Sequence, residues 1–179
     1  MSLKNFPLFR TGIGQDSHRF LPADSSKPCM IGGIIFEGVP GLDADSDGDV
    51  VYHALCNAIS SLTGVPILGR IAVELCRKDG ITDSQVYLEK ALQTLRGQKI
   101  VHIAFTIEGK RPRLQEKIDQ VKKKVASVCS LHEKQVGLTV TSGDGLTDFG
   151  CGEGLQCFCV LTTVEAMVLP DQIGHIDKK

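Results

Sequence analysis

Hydrophobic residues recur at helical spacing in three parts of this chain. The first stripe covers residues 49–62, and the second follows a capping residue at Asp83 or Ser84. The third begins near Pro112 and continues to residue 128, opposite a run of lysines. The pattern predicts three helices, each with one face packed inward.

Alternating hydrophobic and polar residues predict strands elsewhere, at residues 101–107, 136–142 and 155–163. Two earlier β-prone stretches rich in glycine, residues 10–15 and 29–36, could pair with each other as a hairpin. The resulting order of elements predicts an α+β fold, in which helices cover one face of a small mixed or antiparallel sheet. The other face must then be solvated or covered by another subunit.

The segments between these elements are polar or rich in glycine. Residues 77–83 suit a mobile surface segment that could act as a lid, and residues 143–154 suit a flexible connection between two strands. A length of 179 residues favours one domain, which we assign to residues 1–170, with residues 171–179 as a frayed tail.

Composition narrows the class of protein. Lys and Arg number 20 against 21 Asp and Glu, and this balance disfavours nucleic acids or anionic membranes as partners. No apolar run approaches the roughly 20 residues that span a bilayer, and the first ten residues lack a secretory signal. Seven cysteines without a CxxC pair suit reduced thiols. We therefore expect a cytoplasmic protein.

The strongest candidate for a metal site joins two elements. Asp16 and His18 are two residues apart on a predicted strand, so their side chains should lie on one face. His53 on the first helix would complete three ligands and leave a fourth position open, as catalytic zinc requires. A surface polar pair and a buried, hydrogen-bonded histidine are the alternatives.

Acidic residues 43–49 have the spacing of the first half of a calcium-binding EF-hand loop. Position 12 of that loop falls on Ala54 instead of a glutamate, which excludes an EF-hand. A Ser-Asp-Gly-Asp segment before a helix can instead cap the helix or bind an anion.

Two glycine-containing segments near the end of the chain differ in what they could bind. Residues 150–154 resemble part of a dinucleotide fingerprint, but a strand follows them, which excludes a Rossmann site. Thr141, Ser142 and Asp144 offer two hydroxyls and a carboxylate at a strand end, and this set suits a phosphate with its magnesium.

Five motifs together resemble the 2-C-methyl-D-erythritol 2,4-cyclodiphosphate synthase family. They are Gly12-Ile13-Gly14-Gln15-Asp16-Ser17-His18, Ile31-Gly32-Gly33, Ser46-Asp47-Gly48-Asp49 followed by His53-Ala54-Leu55, Pro112-Arg113-Leu114 and Gly152-Glu153-Gly154. Their order and spacing match from about residue 10 to residue 165.

The resemblance implies an enzyme of isoprenoid biosynthesis in the methylerythritol phosphate pathway. Its substrate would be 4-diphosphocytidyl-2-C-methyl-D-erythritol 2-phosphate, whose 2-phosphate attacks the β-phosphorus to give the cyclic diphosphate and CMP. This phosphorus-oxygen lyase would be a homotrimer with active sites between subunits.

The resemblance also implies the roles of individual residues. Asp16, His18 and His53 would bind Zn²⁺, and Asp144, where the family has a glutamate, would bind Mg²⁺ or Mn²⁺. These four would form the catalytic set. The residues that would contact the cytidine diphosphate substrate are Asp45, Ser46, Gly109, Lys110, Arg111, Pro112, Arg113, Leu114, Thr141 and Ser142.

Besides Asp148 and Cys151, which replace a phenylalanine and an arginine of the family's central trimer channel, three positions near the expected active site depart from the family pattern. Asp45 replaces a histidine that contacts phosphate, Asn57 replaces an aspartate near the zinc helix, and Arg70 replaces another aspartate. These changes motivate an alternative function, a noncatalytic metal-dependent nucleotide-binding module on the same fold.

Overall fold

The computed structural model describes residues 7–165. The strands are β1 (Leu8–Arg19), β2 (Cys29–Ile31), β3 (Ile34–Phe36), β4 (Gln98–Glu108), β5 (Val136–Thr141) and β6 (Gly154–Glu165). The helices are α1 (Val50–Thr63), α2 (Arg70–Asp79), α3 (Ser84–Gln93), α4 (Ile118–Val128) and α5 (Asp148–Cys151). The predicted tail at residues 171–179 lies outside the described residues.

The main sheet has four strands in the order β1-β6-β4-β5. Strand β6 is antiparallel to both β1 and β4, whereas β4 and β5 are parallel, so the predicted mixed sheet is confirmed. The predicted hairpin between the first strand and residues 29–36 is wrong. Gly32 and Gly33, with φ of 60° and 73°, instead form a two-residue turn that pairs β2 with β3.

One face of the sheet is covered by helices, as predicted. Ile103, Phe105 and Ile107 of β4 point to that face and are buried, as are Cys157 and Cys159 of β6. The opposite face carries four exposed hydrophobic residues, namely Phe9, Ile13, Phe158 and Val160. No helix among residues 7–165 is long and apolar enough to cross a membrane.

Helix α1 matches its prediction. It begins after Asp49, whose carboxylate accepts hydrogen bonds from the backbone N–H groups of Val51 and Tyr52, and it ends at Gly64 with φ of 72°. The Asp49 carboxylate is fully buried, and it also accepts the N–H groups of the β2–β3 turn glycines at 2.8 and 2.6 Å. One side chain therefore fastens the small hairpin to the start of α1.

Three local predictions need correction. Part of the predicted surface segment at residues 77–83 belongs to α2, because Ile71, Ala72 and Leu75 give this charged stretch a short apolar stripe that packs against the core. The helix expected from Pro112 begins as a 3₁₀ turn at Leu114–Lys117 and becomes α-helical only at Ile118. The connection at residues 143–154 contains α5, capped by the Thr147 hydroxyl.

Candidate metal centre and active site

The metal candidates Asp16, His18 and His53 lie together. Asp16 Oδ2 is 3.0 Å from His18 Nε2 and 3.1 Å from His53 Nδ1, and the two ring nitrogens are 3.3 Å apart. The first two residues are on β1 and the third is one turn into α1, so the predicted convergence is confirmed. Two imidazole nitrogens and one carboxylate oxygen at such separations form a donor set that fits a divalent cation such as zinc.

The charge state of Asp16 supports a cation at this position. Burial of the Asp16 carboxyl raises its pKa. Hydrogen bonds from His18 and His53, together with the charges of these residues, lower the pKa by a larger amount, so it lies below its ordinary value. Asp16 is therefore a carboxylate at neutral pH and supplies one negative charge to the site.

A cavity of about 230 Å³ opens beside these ligands. Asp45 and Ser46 line it, as does an apolar wall formed by Leu68, Ala72, Val73 and Tyr87. Ser46 is buried, and its hydroxyl lies 3.3 Å from His53 Nε2. The wall belongs partly to α2, which sequence analysis missed, although the spacing of residues 71, 72 and 75 was a signal for it.

Most of the predicted nucleotide-contacting residues lie elsewhere. A second cavity, of about 240 Å³, is lined by Gly109, Pro112, Arg113, Leu114, Thr141 and Ser142. Of the other four predicted contacts, Asp45 and Ser46 line the metal cavity, and Lys110 and Arg111 line neither of these two cavities. Arg111 stacks over the Phe20 ring at 4.6 Å and donates to the Gly152 carbonyl, and the Lys110 side chain lies near the same glycine.

Asp144 is also separate from the three metal ligands. Among the described residues, the cluster of potential ligands contains Asp16, His18 and His53 but not Asp144. Asp144 is exposed, and its carboxylate accepts a hydrogen bond from the Ser142 hydroxyl at 3.0 Å. Within one chain, the metal half and the nucleotide half of the predicted site share no lining residue.

Asn57 of α1 supports the position of Asp16 through the backbone. Its side-chain amide donates to the Gln15 carbonyl at 2.9 Å, directly before Asp16. An aspartate could not make this bond when ionised, because a carboxylate only accepts hydrogen bonds.

Fold and site together define an α+β protein with three potential metal ligands gathered between a strand and a helix. The chain belongs to the YgbB family, whose model matches residues 9–164. It is 56% identical over 159 residues to the 2-C-methyl-D-erythritol 2,4-cyclodiphosphate synthase of Chlamydia muridarum, covering 88% of this chain and 89% of that protein. The synthase of Chlamydia caviae is 55% identical over 159 residues, and the alignment covers 88% of this chain and 90% of that protein.

A solved structure that is less similar in sequence supports the same family assignment. A 2C-methyl-D-erythritol-2,4-cyclodiphosphate synthase in its CDP-bound form aligns with a TM-score of 0.71 and 27% identity, covering 85% of this chain and 98% of that chain.

Proposed function

We propose that this protein converts 4-diphosphocytidyl-2-C-methyl-D-erythritol 2-phosphate into 2-C-methyl-D-erythritol 2,4-cyclodiphosphate and CMP. A 2-phosphate oxygen forms a bond to the β-phosphorus, and the bond from that phosphorus to the CMP oxygen breaks, as in a phosphorus-oxygen lyase. The observation that carries the proposal is the Asp16, His18 and His53 cluster beside a cavity, in a chain that is 56% identical over 159 residues to a named synthase.

The proposed roles follow from the chemistry of each group. Asp16, His18 and His53 would hold Zn²⁺, which supplies charge neutralisation at the reacting diphosphate when bound. Phosphoryl transfer depends on positioning and charge more than on a protein base. The apolar wall beside the ligands limits water around the reacting groups, and Thr141 and Ser142 offer hydroxyls to phosphate oxygens.

The remaining contacts are proposed on the same basis. Asp144 would bind Mg²⁺ or Mn²⁺, and the backbone of residues 109–114 would receive cytosine. Asp45 lines the metal cavity as an exposed carboxylate, which repels phosphate and is suited to a hydroxyl or a cation.

We further propose a homotrimer in the cytoplasm, with residues 1–170 acting as one domain. In a closed ring, the metal half of one subunit can meet the nucleotide half of its neighbour. The exposed hydrophobic face of the sheet, with Phe9, Ile13, Phe158 and Val160, is a surface that such an assembly would cover.

The alternative is a noncatalytic metal-dependent nucleotide-binding module, and one assay separates the two functions. CMP release is measured from the authentic substrate, with and without a chelator, for the wild type, His53→Ala and the control His132→Ala, which changes an exposed histidine between α4 and β5. We expect metal-dependent CMP release from the wild type and the control, and loss of both zinc and activity in His53→Ala. Nucleotide binding without CMP release by the metal-loaded wild type would favour the alternative.

A further inference from the structure

Ser84, the first residue of α3, lies behind the metal ligand His53. Its side chain is fully buried, and its hydroxyl oxygen is 2.9 Å from His53 Nε2, the ring nitrogen opposite the one that faces Asp16. The same hydroxyl also forms a hydrogen bond with the carboxylate of Asp47. Ser84 therefore connects a carboxylate to the far side of a metal-binding imidazole.

The direction of these bonds follows from the donors around Asp47. Its Oδ1 accepts the N–H of Asp49 at 3.0 Å, and its Oδ2 accepts the N–H of Ser84 at 3.1 Å. Both carboxylate oxygens are thus acceptors, and the Ser84 hydroxyl must donate its single proton to Asp47. Its oxygen is then left to accept a proton from His53 Nε2.

An Nε2–H donor determines the tautomer of His53. The neutral ring then has a lone pair on Nδ1, which is the atom 3.1 Å from Asp16 Oδ2 and 3.3 Å from His18 Nε2. Carboxylate partners of metal-bound histidines orient the ring and increase its basicity. Here the serine hydroxyl transmits that effect from a carboxylate that does not touch the ring.

We propose that Asp47 and Ser84 form a relay that holds His53 in its metal-binding tautomer and strengthens metal binding. Ser84 is a positioning residue in this relay. The Ser46 hydroxyl, 3.3 Å from Nε2, is a weaker second acceptor, because it lies farther away and already accepts the Gly48 N–H. The proposal rests on the metal site of the proposed function, but not on catalysis.

Backbone N–H groups also join the two segments that carry Asp47 and Ser84. The Asp47 N–H donates to the Thr82 carbonyl at 2.8 Å, while the Ser84 N–H donates back to the Asp47 side chain. The loop before α1 and the start of α3 are therefore tied together directly beside His53. A substitution in α3 could therefore affect zinc binding through these hydrogen bonds or through packing. Different variants can test the two effects separately.

Zinc affinity of the full chain, measured by competition with a chromogenic chelator, tests the relay. We expect Ser84→Ala to bind zinc about 10- to 100-fold more weakly than the wild type. Asp83→Ala is the matched control, because Asp83 caps the same helix by accepting the Gln85 N–H but does not contact the relay. Its zinc affinity should stay within about threefold of the wild type, while its thermal stability falls through loss of the cap.

A second measurement needs no variant. In the zinc-loaded wild type, ¹⁵N NMR of the His53 ring should show a slowly exchanging proton on Nε2, with Nδ1 bound to the metal. A rapidly exchanging Nε2 proton would overturn the relay, as would wild-type zinc affinity in a folded Ser84→Ala protein. Zinc binding with an intact relay but no CMP release would instead refute only the proposed catalytic function, and a wild type that binds no zinc would refute both.

Discussion

Asp144 is held in the left-handed region of the backbone, with φ of 47°, on an exposed turn after β5. Aspartate and asparagine tolerate this conformation better than most residues. Asp144→Asn therefore removes the negative charge while retaining the turn. The variant isolates the role of the carboxylate from the role of the loop.

We predict that Asp144→Asn raises the magnesium concentration needed for half-maximal CMP release about tenfold or more, since a neutral amide is a poorer ligand for a hard cation. Zinc content should remain at the wild-type level. Asp24→Asn, at another exposed acidic position, is the control and should leave both quantities unchanged. An unchanged magnesium titration in Asp144→Asn would place the second cation elsewhere.

At the scale of elements, the proposed metal site depends on how closely β1 lies against α1. Gly12 and Gly14 are on the strand face that meets the helix, where a Cβ on Gly14 would lie 2.1 Å from the Ala54 carbonyl oxygen. The strand carries Asp16 and His18 while the helix carries His53. Close contact between the two backbones thus sets the distance between the ligands.

We predict that Gly14→Ala destabilises the protein by roughly 3 kcal/mol, because backbone atoms would have to move apart, and overpacking typically costs about 1–3 kcal/mol and occasionally more. The zinc affinity of Gly14→Ala should also be lower than that of the wild type. Gly137→Ala on β5 is the matched control, since its nearest neighbour would be 3.8 Å away. Chemical denaturation and chelator competition measure the two effects, and equal stability of both variants would contradict this account.

At the scale of the whole molecule, the separation of the two cavities matters most. One cavity has the metal ligands and the other has the nucleotide segment. If active sites form between the subunits of a ring, one variant altered in the metal half and another altered in the nucleotide half should each be inactive. Mixed trimers of the two should recover activity.

We predict that His18→Ala and Thr141→Trp are each inactive and that their mixture recovers about a quarter of wild-type activity. Thr141 is exposed and lines the nucleotide cavity, so the larger side chain blocks binding without disturbing the core. Random mixing makes about three quarters of the trimers mixed, and each mixed trimer has one intact site of three. Mass spectrometry should demonstrate subunit exchange. Exchange without recovered CMP release would show that the site does not lie between subunits in this way.

The sequence by itself predicted most of the elements and the three side chains that the structure brings together as potential metal ligands. A two-residue period places Asp16 and His18 on one face of a strand, and a helical stripe identifies α1 with His53 on it. These are local properties of the backbone, and they do not depend on which strands become neighbours.

Only the tertiary structure decided which elements meet. Strand β1 pairs with β6, more than 130 residues away in sequence, whereas β2 and β3 pair with each other across the glycine turn. The contact between Ser84 and His53 likewise depends on where α3 packs, and no spacing in the sequence records it. Nonlocal packing selects one arrangement from the many that the same helices and strands allow, so pairing partners and side-chain networks emerge only when the whole core is formed.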